Sequence, residues 1–288
     1  MRAAFFGLAL TILALGLAAT ATGGPSAPTA IPGCAKGSLN LLKEGTLSLA
    51  TDNPAFPPWW GGAQKKPWEV SNPASGKGYE SAVAYAVAKQ LGFTKGQVTW
   101  KAVPFSNSFR PGKKPFDFYM AQVSYVPERA ENVAFSNSYY FVNQAVVGNA
   151  ETSISRVKTV AGLRPYKLGA QVGTTSYDYI TDFIRPDQQP AVYDSNNDAI
   201  SALNSGQIDG IVVDLPTAFF VVAVQLDNGI IVGKLPQRGP REHFGMVFAK
   251  DNPLVRCVNR ALNRLWGNGT MRKLQRTYLA QAGAPDLR

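Results

Sequence analysis

The stretch LGAQVGTTSYDYITDFIRPDQQPAVYDSNNDAISALNSGQIDGIVVD, residues 168–214, indicates the fold class of this chain. Two apolar strands and two helices follow one another along it: a strand at 168–172, a helix at 175–185, a helix at 196–206 and a strand at 211–213. Pro186 ends the first helix because its ring removes an N–H donor and clashes with the preceding turn. In the second helix Ala199, Ile200 and Leu203 lie on one side. Strands that alternate with helices of about ten residues predict α/β units with parallel strands.

The same alternation extends in both directions from this stretch. Strands or short apolar runs are predicted at 46–51, 98–103, 118–123, 143–147 and 229–232. Helices are predicted at 81–91, after Pro216, and from Pro253 toward the C-terminus. The pattern restarts after Gly148, and 288 residues is long for one domain. We therefore expect two α/β units.

The composition excludes several classes of protein. With 45% hydrophobic and 17% charged residues, the chain can bury a core and is not intrinsically disordered. One histidine and two cysteines exclude most metal sites, so no metal or cofactor is expected. The net charge of +10 permits an acidic partner, but the paired lysines at 65–66 and 113–114 are scattered. No nucleic-acid-binding motif accompanies them, and we expect no nucleic-acid partner. Arg256, Arg260 and Arg264 are best interpreted as a solvated helix face.

The N-terminus is typical of an exported protein. Residues 1–21 contain an early arginine, a long apolar run and the small residues Ala19 and Ala21, which predicts a cleaved signal peptide. The alternative is an uncleaved membrane anchor, since the apolar run approaches the length of a spanning helix. Residues 22–39 begin with a Gly/Pro/Ser/Thr-rich segment that predicts a flexible linker. The mature protein is expected outside the cytoplasm, in the periplasm or at the cell surface.

The two cysteines are predicted to pair with each other. An even number of cysteines in an exported chain favours a disulfide, here Cys34–Cys257. The alternative is lipidation of Cys34, which follows small residues, although Pro32 precedes it by two positions.

Polar residues that could bind a ligand follow several predicted strands. They lie at 52–60, at 122–129, at 173–176 ahead of a helix, and at Asp214. Ligands of open α/β sheets bind beyond the carboxyl ends of strands. Taken singly, each residue has a structural explanation as a turn, a helix cap or a surface ion pair. Together they offer a cation, an anion and a helix end that favours an anion, which matches a small zwitterion.

The segment SYVPERAENVAFS, residues 124–136, carries the strongest resemblance to a known family. It is similar to the S-x-T-x-x-R-x-x-x-V-x-F-S segment of the extracytoplasmic amino-acid-binding proteins of ABC importers. These are the solute-binding proteins of family 3, which have the type II periplasmic-binding fold. VGTT at 172–175 is similar to the V-G-T-T/S loop of that family, and IDGIVVD at 208–214 to its V-D-A-hydrophobic-D strand. FGMVF at 244–248 resembles the closing strand that precedes the family's terminal helices.

The resemblance implies a two-lobed α/β architecture with a ligand cleft between the lobes. Lobe 1 would comprise residues 40–143 and 244–288, and lobe 2 residues 144–243. Seven residues are implied to form the ligand site: Arg129 for the α-carboxylate, Ser124, Thr174 and Thr175 beside it, Asp214 for the α-ammonium group, and Asp52 and Phe56 for the ligand side chain. The implied function is the capture of a polar or charged amino acid and its delivery to an ABC permease, by a protein expected to be a monomer.

Two other functions are compatible with the same fold. One is an enzyme similar to cyclohexadienyl dehydratase, which would need an acid or base over the reacting carbon, with Asp52, Glu80 and Asp214 as candidates. The sequence pairs no two carboxylates at a useful spacing, so we expect no enzymatic activity and release of the ligand unchanged. The other is a sensory binding module, for which no partner motif is found.

Overall fold

Two five-stranded sheets divide the chain in the computed structural model, which describes residues 30–279 and 283–288. The first sheet has the strand order β2-β1-β3-β12-β4, and the second has the order β10-β6-β9-β7-β8. We call the first sheet with its helices the first lobe, and the second sheet with its helices the second lobe. A separate two-stranded sheet, β11-β5, lies where the chain crosses between them.

The strands are short and the longest helices lie in the first lobe. The strands are β1 Leu47–Thr51, β2 Val98–Ala102, β3 Phe118–Tyr119, β4 Val133–Phe135, β5 Tyr140–Phe141, β6 Gln144–Asn149, β7 Leu168–Gln171, β8 Ala191–Tyr193, β9 Gly210–Asp214, β10 Gly229–Lys234, β11 His243–Phe244 and β12 Val247–Ala249. The helices are α1 Tyr79–Gln90, α2 Phe105–Ser108, α3 Pro127–Ala130, α4 Thr175–Tyr179, α5 Asn196–Asn204, α6 Leu215–Phe220, α7 Leu254–Gly267 and α8 Thr270–Leu279.

Parallel pairing holds within the predicted strand–helix–strand units. β1 pairs in parallel with β2 and β3, and β7 with β8 and β9. The expectation of parallel strands is wrong for β6 and β12, which pair antiparallel with their neighbours. Both strands come soon after a crossing between the lobes. The chain therefore enters each sheet there without the helical crossover that keeps consecutive strands parallel.

Apolar side chains pack on both faces of each sheet. One cluster under the first sheet joins Leu49, Val83 and Val258 of β1, α1 and α7, and a second lies on its opposite face. The second sheet is likewise covered on both faces. In a sheet that is buried on both faces, the sequence of a strand is a continuous apolar run, as residues 211–213 of β9 are. The predicted α/β class and the two-lobed organisation are confirmed.

The start of the described chain is anchored on helix α7. Cys34 and Cys257 form the predicted disulfide, and Ile31 is buried at 3% exposure. The guanidinium groups of Arg260 and Arg264 donate to the carbonyl oxygens of Pro32 and Ala30. Residues 30–39, predicted as part of a flexible linker, are thus packed against the first lobe. The predicted signal peptide 1–21 and residues 22–29 lie outside the described residues.

The end of the chain lies on the second lobe. Lys234 of β10 forms a bridge with Asp286, and its Nζ lies 2.8 Å from the Asp286 carboxylate. Leu287 is 3% exposed and packs among the apolar residues of the second lobe. Residues 244–288 are predicted to belong to one lobe, whereas Asp286 and Leu287 contact the other. The remaining lobe boundaries stay a prediction.

Within residues 30–279 and 283–288, none of the helices has the length and apolar character needed to cross a bilayer.

Candidate ligand cleft

A cavity between the two lobes collects the polar residues that follow the strands. Its volume is about 90 Å3. All seven residues predicted from the sequence border it: Asp52, Phe56, Ser124, Arg129, Thr174, Thr175 and Asp214. The cavity therefore suits a small solute rather than a peptide.

Arg129 connects the two lobes. It lies on the short helix α3 and is 8% exposed. Its Nη1 donates to the Ser124 carbonyl at 2.7 Å, and its Nη2 to the Gly173 carbonyl at 2.9 Å in the second lobe. Its guanidinium carbon lies 4.6 Å from the ring centre of Phe109. Among the described residues these two hydrogen bonds use two of its five N–H groups.

The charge of Arg129 is only partly balanced by its surroundings. Burial lowers its pKa, whereas the carboxylates of Asp178, Glu242 and Asp214 raise it. A guanidinium stays protonated even so. Within the described chain, none of these carboxylates lies within 4.0 Å of an Arg129 nitrogen. A buried cation without an adjacent counter-ion favours the binding of an anionic group.

The hydroxyl groups of Ser124 and Thr175 meet at Glu242. Ser124 belongs to the first lobe, and Thr175 begins helix α4 of the second. Both hydroxyls donate to Oε1 of Glu242 at 2.6 Å, and the two oxygens lie 3.5 Å apart. Thr174 caps α4, because its side chain accepts the N–H of Tyr177 at 3.2 Å. Thr174 therefore has a structural role as well as its place on the cavity wall.

Asp214 is oriented by a buried glutamine. It ends strand β9 and precedes helix α6, but its side chain does not cap that helix. Its Oδ1 accepts Nε2 of Gln144 at 2.9 Å, and the Gln144 Oε1 accepts the Ser176 hydroxyl at 2.7 Å. Burial raises the pKa of Asp214 well above its usual range, and Glu242 raises it further. A cationic group beside Asp214 would relieve this penalty.

Asp52 supplies a second carboxylate at another part of the cavity wall. It follows β1, and its Oδ1 accepts the N–H of Asn53 at 2.9 Å. Burial raises the pKa of Asp52 to about 6, although N–H groups of Asn53 and Phe105 lower it. Phe56 borders the same cavity. Two acids and one base thus line the cavity, Asp52 and Asp214 against Arg129.

Trp59 joins the first lobe to the second. It is 1% exposed, and its Nε1 donates to the Thr217 hydroxyl of helix α6 at 2.9 Å. Its ring packs edge-on against Tyr140 and Phe244, which belong to the crossing strands β5 and β11. Position 78 requires a glycine, because a Cβ there would lie only 2.4 Å from the backbone of Trp60. The backbone at 59–60 therefore fits closely against the start of α1.

Glu80 supports the cavity wall from beneath. It is fully buried, and its carboxylate accepts the Tyr139 hydroxyl and both the main-chain and side-chain amides of Gln122. Burial raises the pKa of Glu80 to about 7. Gln122 has a φ of 52° and borders the cavity. Glu80 is thus behind the wall rather than facing the cavity, which removes it as an acid or base over a bound solute.

Sequence analysis missed three participants in this arrangement: Gln144, Glu242 and Thr217. Gln144 starts strand β6, and only the antiparallel pairing of β6 with β9 places it opposite Asp214, so a search for polar residues at the carboxyl ends of strands does not find it. Glu242 lies in the irregular segment before β11, where no periodic pattern indicates a role. Within residues 30–279 and 283–288, no group of three or more histidine, cysteine or acidic residues could bind a metal ion.

Comparisons with known proteins agree with this architecture. The ABC transporter arginine-binding protein 1 of Escherichia coli K12 is 26% identical over 211 residues, covering 71% of this chain and 82% of that protein. A solved ancestral arginine-binding protein bound to arginine is 25% identical, with a TM-score of 0.67 over 82% of this chain and 99% of the other.

A second solved structure shares the fold. The ancestral amino acid-binding protein AncCDT-1, a precursor of cyclohexadienyl dehydratase, has a TM-score of 0.66 at 24% identity, covering 82% of this chain and 96% of its own. These likenesses confirm the predicted type II periplasmic-binding fold. Residues 61–281 match one family over most of the chain. The chain belongs to the bacterial extracellular solute-binding proteins, family 3.

Proposed function

We propose that this protein captures a free α-amino acid in the cleft between its lobes and delivers it to an ABC importer. The observation that carries the proposal is the set of charges without ion-pair partners on the cavity wall. Among the described residues, no lysine or arginine nitrogen lies within 4.0 Å of the carboxylate oxygens of Asp52 or Asp214. Charges buried in this way are stabilised by a ligand of complementary charge.

The α-amino-acid frame matches two of these charges. Arg129 would bind the α-carboxylate with its remaining N–H groups, since a guanidinium can donate two parallel hydrogen bonds to a carboxylate. Asp214 would bind the α-ammonium group. Arg129 lies in the first lobe and Asp214 in the second, so one zwitterion would contact both lobes. The ligand would therefore favour the closed arrangement over an open one.

The charge of Asp52 indicates which class of ligand side chain the cleft prefers. With Arg129 and Asp214 assigned to the α-carboxylate and the α-ammonium group, the Asp52 carboxylate remains for the ligand side chain. A cationic side chain would pair with it, whereas an acidic one would be repelled. The arginine-binding names of similar proteins point to the same class. We infer that the preferred ligand is a basic amino acid.

A non-enzymatic role is part of this proposal. Asp214 is assigned to charge pairing, Glu80 is behind the cavity wall, and Asp52 is left without a second acid or base beside it. The ligand would be released unchanged to a permease. The chain would act as a monomer outside the cytoplasm, after export directed by residues 1–21. A dehydratase-like enzyme would need an acid or base over the reacting carbon, and a sensory module would need a receptor or kinase partner.

The proposal is tested by binding measurements on the purified mature chain. Isothermal titration with the common amino acids and ornithine should show binding of a basic amino acid. Arg129→Ala and Asp214→Ala should each weaken that binding, because stranding one member of a desolvated charge pair costs about 2–5 kcal/mol, or roughly 30-fold to several thousand-fold in affinity. Arg129→Lys should also weaken it, since an ammonium lacks the two-pronged geometry.

The matched control is Arg164→Ala, which removes an exposed arginine paired with Asp187 on the surface. Its affinity should equal that of the unaltered chain within twofold. The proposal would be contradicted if no amino acid bound to the unaltered chain. It would also be contradicted if the Arg129 and Asp214 variants bound the ligand as tightly as the unaltered chain. Mass spectrometry of the ligand after long incubation should find it unchanged, and a new product would support the enzyme instead.

A further inference from the structure

Glu242 lies at the centre of a hydrogen-bond network that spans both lobes. It precedes the crossing strand β11 and is half-buried. Its carboxylate accepts the Ser124 hydroxyl from one lobe, the Thr175 hydroxyl from the other, and the Gln144 amide at 3.2 Å. It does not itself border the cavity. Two of its partners, Ser124 and Thr175, do border it.

The two hydroxyl protons are committed by this arrangement. A hydroxyl has a single proton to donate, and both protons here point to Oε1 of Glu242. They are therefore not available to a ligand carboxylate. The ligand carboxylate is left with the N–H groups of Arg129 and of the nearby backbone. Of the two ways in which Ser124 and Thr175 are expected to assist the carboxylate, through a hydroxyl or through a backbone N–H, this division favours the backbone N–H.

A second branch of the network leads from Glu242 to Asp214. Gln144 is 3% exposed, and its Nε2 donates to Asp214 at 2.9 Å and to both oxygens of Glu242 at 3.2 Å. Its Oε1 accepts the Ser176 hydroxyl, which fixes the amide orientation. The amide group is thus held between two carboxylates. A substitution of Glu242 would therefore alter the position of Asp214 through the Gln144 side chain, which contacts both residues.

We propose that Glu242 is a positioning residue that divides the roles of the cleft: it withdraws the Ser124 and Thr175 hydroxyls from the ligand carboxylate and, through Gln144, orients Asp214 for the ligand ammonium group. The inference rests on the proposed binding of an α-amino acid. Glu242 would therefore set the preference for ligands that carry an α-ammonium group over those that lack one.

The variant Glu242→Gln tests this role. The new amide oxygen can still accept the two hydroxyls, but the new NH2 group would face the NH2 group of Gln144. Gln144 Nε2 contacts both oxygens of Glu242, and its contact with the new NH2 group would bring two donors together at 3.2 Å, which should displace the Gln144 amide and weaken its bond to Asp214. The probes are L-arginine and 5-guanidinopentanoate, which is arginine without its α-amino group. Calorimetry gives the affinity ratio of the two probes for each protein.

We expect the unaltered chain to prefer L-arginine, and Glu242→Gln to reduce the affinity ratio at least tenfold. Gln144→Leu, which cuts the same connection, should reduce it similarly, and the double variant should reduce it no further. The matched control is Glu128→Gln, which removes an exposed negative charge that also raises the pKa of Arg129 but accepts neither hydroxyl. Its ratio should stay within twofold of the unaltered value.

The outcomes separate this inference from the proposed function. If the unaltered chain binds L-arginine and Glu242→Gln leaves the ratio unchanged, the role of Glu242 is wrong and the proposed function stands. If another amino acid binds instead, that amino acid and its des-amino analogue become the probes. If no amino acid binds the unaltered chain, both the proposed function and the role of Glu242 are wrong. Should Glu242→Gln not fold, Glu242→Asp retracts the carboxylate by one methylene and should reduce the ratio in the same direction.

Discussion

The carboxyl group of Asp52 titrates near neutral pH because it is buried beside the cleft. Burial raises its pKa to about 6. Above that pH it carries the charge that a basic ligand requires, and below it the proton must be removed before the ligand side chain can pair. Asp52 thus connects ligand affinity to mildly acidic conditions, together with Asp214, whose pKa burial also raises.

We expect the affinity for L-arginine to fall as the pH drops below 6, because Asp52 then becomes protonated. Each pH unit below the pKa of Asp52 adds about 1.4 kcal/mol to the cost of binding, or about tenfold in affinity. Isothermal titration from pH 8 to pH 4.5 would measure this.

Asp52→Asn provides the comparison for this pH profile. It should bind L-arginine more weakly at pH 8, and its affinity should change little between pH 7 and pH 5. If the variant keeps the slope of the unaltered chain, a different group, such as Asp214, titrates instead.

At this scale the sequence shows which residues follow strands but not how they are connected. Asp52 and Asp214 were predictable because each acid directly follows an apolar strand. Glu242 was not, since it lies in an irregular segment and reaches Gln144 across a separation of 98 residues. A contact over that distance depends on how the two crossings pack, and no local pattern records it.

Helix α7 carries the disulfide that fixes the start of the described chain. Its buried positions include Cys257, Val258 and Leu262, so one stripe of the helix faces the core. Cys257 is bonded to Cys34 over a separation of 223 residues. The segment around Ile31 packs beside this bond. This covalent connection reinforces the noncovalent contacts of Ile31, Arg260 and Arg264 that hold the segment on the first lobe.

The double variant Cys34→Ser/Cys257→Ser should be less stable than the oxidised parent. Closing a loop of this length stabilises a fold by about 5 kcal/mol at most, since the gain grows only with the logarithm of loop length. Urea denaturation followed by circular dichroism would measure the loss.

The parent treated with a reductant is the control and should match the double variant. Ligand affinity should change less than twofold, because neither cysteine borders the cleft. Equal urea midpoints for the oxidised parent and the double variant would contradict a stabilising role for the disulfide.

At the scale of elements, apolar runs predict strands better than they predict strand direction. β1, β7 and β9 lie within one or two residues of the predicted strands. The direction of β6 was not predictable, because a strand buried on both faces is apolar throughout and carries no sign of direction. The packing of 30–39 was also missed, since the glycines and prolines there predict a flexible segment when the disulfide is left out of account.

Four hydrogen bonds form three connections between the lobes at the cleft. They run from Arg129 to Gly173, from Trp59 to Thr217, and from Ser124 and Thr175 to their shared carboxylate. Of these, the bond between Trp59 and Thr217 involves no charged group. It is therefore the simplest one to remove without changing the electrostatics of the cleft.

Thr217→Val should shift the molecule toward an open arrangement. The loss of one neutral hydrogen bond costs about 0.5–1.5 kcal/mol, which predicts ligand binding roughly 2-fold to 12-fold weaker. Small-angle scattering should give a larger radius of gyration for the ligand-free variant than for the ligand-free parent, and equal radii at saturation.

Thr277→Val on helix α8 is the control, since Thr277 is exposed and does not border the cleft. It should match the parent in both affinity and radius. An unchanged affinity and radius in Thr217→Val would mean that the contact of Trp59 with Thr217 does not contribute to closure.

Residues 283–288 pack on the second lobe, whereas the start of the described chain is anchored on the first. The two ends are therefore suitable positions for a pair of labels that report the distance between the lobes. Ser38 is exposed beside the disulfide-anchored segment of the first lobe, and Arg288 is exposed next to the buried Leu287 of the second. A donor fluorophore at one and an acceptor at the other would move with different lobes. Their energy transfer would follow the opening and closing of the cleft in real time, without a label inside the cavity.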